Sequence, residues 1–442
     1  MKEDNAPDCL TRPFSKAPPV PRTHTAMHTQ QVVCLVNHAG ETGGAEFALE
    51  RLLSSLDRSA WHPVVVFGEE GPAVDLIRSL SIETYVIPIG QKMAKVRRES
   101  LHGFLLSQWK HAFHAFAYIL KLRTFFRRRS VAIVHTNSMK AHVLGGLAAK
   151  LSGIPLVWHL RDSLHPSSLP PSAVALMRWF SRVLPDRLIC VSKSVARYAL
   201  GQNRMHLARI VYDGLNADCF ELPPPLDAPC KPEESVVWTV GIAGRLCAWK
   251  GQHLFLEAAA KLVARGEKIR FEIIGGPLFG QEAYADRLKH LVKSCAISEH
   301  VTFTGFVNDV PRRIRRWDIL VHASTAPDPC PNVVLEAMAA GVPVVGADSG
   351  GVPEILDEGR CGLLFEPDNP DALSDCIRAL LHNKTERFRI ARDARMRAEK
   401  LFRTERVARS VEGEWRQLLP AESEATPCWK WIEEGFPDEI KN

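Results

Sequence analysis

The stretch ASTAPDPCPNVVLEAMAAGVPVVGADSGGVPEIL, residues 323–356, carries the densest pattern in the chain. An apolar run ends near Ser324, a proline-rich loop follows, and Asn332 is placed to cap a helix running to about Ala340. A second apolar run, PVVGA at 343–347, comes next, so the order strand, loop, helix, strand reads as a parallel βα unit. A helix start presents unpaired N–H groups and a partial positive charge, and the amides near Asn332, Val333 and Val334 can therefore hold an anion. Asp328 stands on the loop and Glu336 inside the helix, which lets two carboxylates grip different parts of one long polyhydroxylated ligand.

Working outward, the same alternation fills most of the chain. Strands are expected at 31–37, 62–68, 83–89, 131–135, 154–160, 186–192 and 208–214, with helices such as 45–56, 101–128, 140–151 and 172–184 between them. The proline-rich 221–235 continues neither a helix nor a central strand and reads as a linker. Beyond it a second series begins at 235–244, 268–276, 300–306, 318–324, 343–347 and 362–366. The chain therefore reads as two Rossmann-like α/β domains, 31–220 and 236–400. They follow an N-terminal extension, 1–30, read as disordered, and precede a C-terminal helix and tail, 401–442, expected to pack back on the N-terminal domain. Ligands of such parallel sheets bind beyond the carboxyl ends of the strands, which places the site in the cleft between the domains.

A second chemical signal is GIAGRLCAWKGQHLFLEAAAKL, residues 241–262. A strand feeds Arg245, and Lys250 precedes a helix beginning near Gly251. A planar guanidinium and a movable ammonium together can neutralise a diphosphate without a metal. In the first half, HAGETGGAEFALERL at 38–52 puts Gly43 and Gly44 between strand and helix, where missing side chains let the backbone approach a phosphate or a sugar. It lacks the G-x-G-x-x-G spacing of a nicotinamide or flavin site.

These residues resemble the retaining glycosyltransferases of the GT-B fold, in particular glycosyltransferase family 4. That family's hallmark is an acid, seven residues and a Glu, then Ala-Met-Ala-x-Gly-x-Pro-Val-Val. Here Asp328 and Glu336 stand at the two acidic positions and 337–345 keeps the remainder intact. The resemblance, over roughly 31–420, implies transfer of a sugar from a nucleotide diphosphate sugar to an acceptor hydroxyl with retention of configuration, in glycan, polysaccharide or glycolipid assembly. It places the nucleotide on the C-terminal domain and the acceptor mainly on the N-terminal one. Glu336 would hold the ribose and the backbone near Phe306 and Val307 the base; Asp328 would reach the sugar. Arg245, Lys250 and the amides at 332–334 would stabilise the departing diphosphate, with no metal or other cofactor required. Either His159 or Arg161, at the end of the 154–160 strand, would touch the donor sugar. A sugar-nucleotide epimerase of the same architecture, or a catalytically weakened sugar-nucleotide binding protein, is the alternative.

Composition bounds the rest. The chain has 442 residues, 46% of them apolar and 24% charged, the balance of a globular protein with more than one core. Eleven cysteines, odd in number and without C-x-x-C spacing, read as reduced thiols of a cytoplasmic protein. The net charge of +6 is local: residues 91–130 hold ten Lys/Arg against Glu99, and the rest of the chain sums to −3. Leu101, Phe104, Trp109, Phe113, Phe116 and Leu120 recur there at near-helical spacing. The stretch reads either as a core-facing helix with cationic ends or as a surface that docks on anionic lipid at the inner face of the cytoplasmic membrane. No nucleic-acid module accompanies it, so nucleic acid is not expected as a partner.

Overall fold

The computed structural model describes residues 30–90, 108–166, 170–221, 237–278, 280–307 and 309–420. The extension 1–29, nearly all of the linker, the 91–107 part of the basic stretch and the tail from 421 lie outside the described residues.

The first half runs β1 (Gln31–Asn37), α1 (Gly44–Ser54), β2 (Trp61–Phe67), α2 (Pro72–Arg78), β3 (Glu83–Val86), α3 (Gln108–Arg128), β4 (Ile133–Thr136), α4 (Met139–Ser152), β5 (Leu156–Leu160), α5 (Pro171–Val183), β6 (Arg187–Cys190), α6 (Lys193–Leu200), β7 (Ala208–Ile210) and α7 (Asp218–Glu221). The second runs β8 (Trp238–Ala243), α8 (Gln252–Ala264), β9 (Ile269–Ile274), α9 (Glu282–Ser294), β10 (Val301–Gly305), α10 (Val310–Ile314), β11 (Ile319–His322), α11 (Asn332–Ala340), β12 (Val344–Ala347), α12 (Val352–Ile355), β13 (Leu363–Phe365) and α13 (Pro370–His382). Two further helices, α14 (Lys384–Leu401) and α15 (Thr404–Arg416), close the described chain.

The first sheet has the order β3-β2-β1-β4-β5-β6-β7 and the second β10-β9-β8-β11-β12-β13, with parallel pairing throughout. Each is a Rossmann-like half. Every residue of β4, β5, β11 and β12 is buried, because helices cover both sheet faces and the strands have no wet side to alternate with. The strand order reverses between β1 and β4 and again between β8 and β11, and a crevice opens at each reversal.

The last described helix, α15, packs on the half that contains β1. Val407, Ala408, Val411 and Trp415 of α15 join the apolar cluster of α1, α2 and the first sheet. Trp415 Nε1 donates to His135 Nδ1 at 3.0 Å and its ring meets Trp61 edge-on. A separate apolar cluster continues from Trp158 of the first half to Trp317 and Met338 of the second.

Helix α3 corrects the periodicity read in the basic stretch. Tyr118, Ile119, Leu122 and Phe126 face the core, whereas Phe113, Phe116 and Leu120 stand exposed. The apolar positions encircle more of the helix than one sheet face can cover.

Candidate functional site

Both edges of the cleft are built at strand ends. After β8 the chain makes a tight turn over Ala248–Lys250, and Gly251 enters α8 with φ of +72°. A Cβ there would sit 1.8 Å from the carbonyl oxygen of Ala323, so only glycine lets the turn press against the end of β11. Gly350, at φ of +67°, packs against the backbone of Asp328 in the same manner, its Cβ position lying 2.3 Å from Asp328 O. These contacts bring residues 78 apart into one cluster: Lys250 Nζ lies 2.6 Å from Asp328 Oδ2, and His322 Nε2 lies 3.1 Å from the same oxygen. Lys250 also sits 4.4 Å from the centre of the Trp249 ring. Burial alone would raise the Asp328 carboxyl, but the Lys250 ammonium and the His322 hydrogen bond outweigh it and hold the group well below the usual carboxylate range. Asp328 is therefore a charged, fixed acceptor at the cleft. Arg245 lies on the same β8–α8 segment, its carbonyl tied to Gln252 Nε2 at 2.9 Å.

Helix α11 starts at Asn332, but its N-cap is Pro331, and Asn332 does not cap it. Its side chain instead crosses the cleft and donates to Gly44 O at 3.1 Å. The Val334 amide is likewise committed, donating to Pro331 O at 3.0 Å, so it offers no N–H to a ligand. A proline before a helix cannot supply a side-chain acceptor, and the first turn closes on its carbonyl instead. Val333 is half-buried beside it. Gly44 faces this helix start, where a Cβ would lie 3.3 Å from Asn332 Nδ2, while Gly43 beside it lies against Glu46 of its own helix.

Glu336, one turn into α11, is buried and bonded across the domains: Arg51 of α1 donates to its Oε1 at 3.1 Å. Burial raises the Glu336 carboxyl, and Arg51 works against that rise. A second strut is Glu354 of α12, whose two oxygens accept from the Lys193 and Ser194 amides at 2.9 and 3.0 Å and so cap α6 of the opposite half. Phe306 is 74% exposed beyond β10, with Val307 half-buried after it.

The structure buries both candidates at the end of β5. His159 is fully buried, its ring 5.3 Å from that of His135, and the burial pushes its pKa well down. Arg161 is buried too, its guanidinium ion-paired with Asp213 of the same half. His159 lies on β5, a central strand covered on both faces, and Arg161 just beyond its end is as little exposed as Asp328 and Glu336. Arg51, His322 and Glu354 were not singled out from sequence. His322 could have been, six residues before Asp328 at a strand end; Arg51 could not, because its partner is 285 residues away.

Among the described residues no cluster of His, Cys, Asp and Glu could hold a metal ion, and no helix is long and apolar enough to cross a membrane.

Two Rossmann-like domains facing across a cleft define the GT-B architecture, and solved structures share it. Anabaena Alr3699/HepE in complex with UDP-glucose superposes with a TM-score of 0.73 at 23% identity, covering 88% of this chain and 100% of that one. Sucrose-phosphate synthase from Thermosynechococcus elongatus gives 0.70 at 18% identity, covering 88% and 99%. Residues 42–218 match the family model Glycosyltransferase Family 4 and residues 232–397 match Glycosyl transferases group 1. Among relatives, Spore coat protein SA of Bacillus subtilis is 34% identical over 172 residues, 38% of this chain and 46% of that protein. Alpha-D-kanosaminyltransferase of Streptomyces kanamyceticus is 27% identical over 307 residues, 63% and 75% of the two chains. The match spans less than half the length of the first of these curated relatives.

Proposed function

We propose that this protein transfers a sugar from a nucleotide diphosphate sugar to an acceptor hydroxyl, with retention of anomeric configuration, in the assembly of a glycan, polysaccharide or glycolipid. The observation that carries this reading is the Lys250–Asp328–His322 cluster at the strand ends of the second domain, opposite the Gly43–Gly44 loop of the first. The ammonium of Lys250 has three N–H bonds and Asp328 takes one, which leaves donors for a diphosphate beside Arg245. In the transfer, the bond from the anomeric carbon to the phosphate oxygen breaks and the acceptor oxygen bonds that carbon on the same face. The acceptor proton passes to the leaving phosphate. Negative charge grows on the diphosphate, where prepositioned cations lower the barrier most, and neither a protein nucleophile nor a metal is needed. Asp328 would orient the sugar, Glu336 the ribose, and the exposed Phe306 ring would offer a face for the base.

The test is a panel of UDP- and GDP-sugars measured for protection against thermal unfolding, followed by incubation of each binder alone. A transferase raises its melting temperature with its donor and hydrolyses that donor only slowly. Conversion of the donor to its epimer, or no protection by any nucleotide sugar, overturns the reading.

The acceptor is proposed to lie at an anionic lipid surface on the cytoplasmic side. Exposed Phe113, Phe116 and Leu120 of α3 are followed over about the next two turns by Lys121, Arg123, Arg127 and Arg128, an apolar patch with a cationic border. Co-sedimentation with phosphatidylglycerol vesicles at low salt should capture the chain, and a Phe113→Ser, Phe116→Ser variant should stay in solution. Equal binding of the two, or none by the parent, rejects the lipid contact.

A further inference from the structure

Most groups proposed to hold the nucleotide come from the second domain, yet the carboxylate assigned to the ribose is held by the first. Arg51 lies on α1, directly after the glycine loop. Its guanidinium is shared between two acceptors, Nη2 to Glu336 Oε1 and Nη1 to Gly214 O, both at 3.1 Å. Gly214 itself is wedged against Thr404 at the start of α15, where a Cβ would come within 2.8 Å of the Thr404 backbone. Arg51 is thus anchored on rigid parts of the first half while it reaches Glu336. Both side chains are largely buried, 14% and 9% exposed, so the pair is only weakly screened by solvent. Among the described residues Glu336 Oε2 receives no hydrogen bond, which leaves one oxygen for ribose hydroxyls once Oε1 is fixed.

We propose that Arg51 is a positioning residue for the nucleotide: it fixes the Glu336 carboxylate from across the cleft, so that a residue of the first domain sets how tightly the second domain binds a nucleoside diphosphate. The inference rests on the reading of Glu336 as the ribose ligand. Its chemistry is that of a buried acid, for which burial favours the neutral form and the adjacent guanidinium the charged one. A carboxylate accepts from ribose hydroxyls more strongly than the neutral acid does. The other titratable groups around the pair are Glu50 on α1 and Asp218 and Cys219 on α7; burial pushes the Cys219 thiol up to about 12, so it stays neutral.

The experiment is titration of the full chain with UDP and with GDP between pH 6 and pH 8.5, for the parent, Arg51→Gln, Arg51→Lys and Glu336→Gln, each checked by its thermal unfolding midpoint. Without Arg51, Glu336 takes up its proton at higher pH. Arg51→Gln should therefore bind about tenfold more weakly at pH 6, the loss expected of one charge-assisted hydrogen bond. Its affinity should climb toward that of the parent by pH 8.5. Arg51→Lys should restore most of the affinity at every pH, and Glu336→Gln should bind weakly with no pH dependence of this kind. If Glu336→Gln weakens binding while Arg51→Gln binds as the parent does, or is weakened equally at every pH, the positioning role is overturned and the ribose reading stands. If Glu336→Gln binds both nucleotides as the parent does, the ribose reading fails and the inference falls with it.

Discussion

Lys250→Ala should lower the rate of sugar transfer by about two to three orders of magnitude, the usual consequence of removing one prepositioned donor from developing negative charge. The ammonium sits where the turn after β8 meets the loop after β11, and nothing else on that turn can replace its reach. The substitution also strips the Asp328 carboxylate of its nearest cation and leaves it with His322 alone, in a pocket where Asp328 is almost fully buried. A buried acceptor left short of partners costs about 1–3 kcal/mol. A slower enzyme could therefore be merely a looser one. Urea unfolding separates the two effects: a variant still folded under the assay conditions and still slow has lost transfer chemistry and not structure. The measurement is the initial rate of transfer, at saturating donor, alongside urea unfolding. A Lys250→Ala rate within a few-fold of the parent would remove Lys250 from the diphosphate.

Acid should destabilise the first domain through its buried histidines. His135 and His142 are both fully enclosed, and burial pushes each down to about 3, helped at His135 by the Arg161 charge and at His142 by His135 and His38. In the unfolded chain each would titrate near 6.5. Below that value the unfolded state binds protons the folded state refuses, so stability is intact above pH 6.5 and is lost progressively as pH falls toward 3. At pH 5 the loss is about 2 kcal/mol for each histidine. Half-buried Glu46 and Glu50 and buried Glu336 and Glu354 are raised and act in the opposite sense, so the informative comparison is between variant and parent. His142→Phe keeps the stacking on Trp158, 4.8 Å between centroids, and leaves Thr136 Oγ1 its bond to Val157 O at 3.3 Å. The stability lost between pH 7.5 and pH 5 should shrink by about 2 kcal/mol in this variant. An unchanged difference would show that His142 is protonated in the folded chain.

Much of this architecture is legible in the sequence. Runs such as QVVCLVN and HPVVVF announce buried parallel strands because β-branched residues on a strand covered on both faces need no polar alternation. The 323–356 stretch announces a strand, loop and helix, and the structure keeps that order with α11 running from Asn332 to Ala340. The partners at the end of β5 were not legible: Asp213, which pairs with Arg161, and His135, whose ring meets that of His159, lie far from them in sequence. The same holds for Asn332, whose side chain was free to cap its own helix until Gly44 of the other domain came within reach.

By itself the sequence determined the two sheets, the cleft between them and the segments that line it, because backbone periodicity, glycine turns and helix starts act over a few residues. Only the tertiary structure decided which polar groups meet: Lys250 with Asp328, Arg51 with Glu336, Arg161 with Asp213, and Trp415 with His135. Those pairings depend on how two separately wound sheets approach and on where burial makes an unpaired polar group too costly. No local pattern in the chain carries that information.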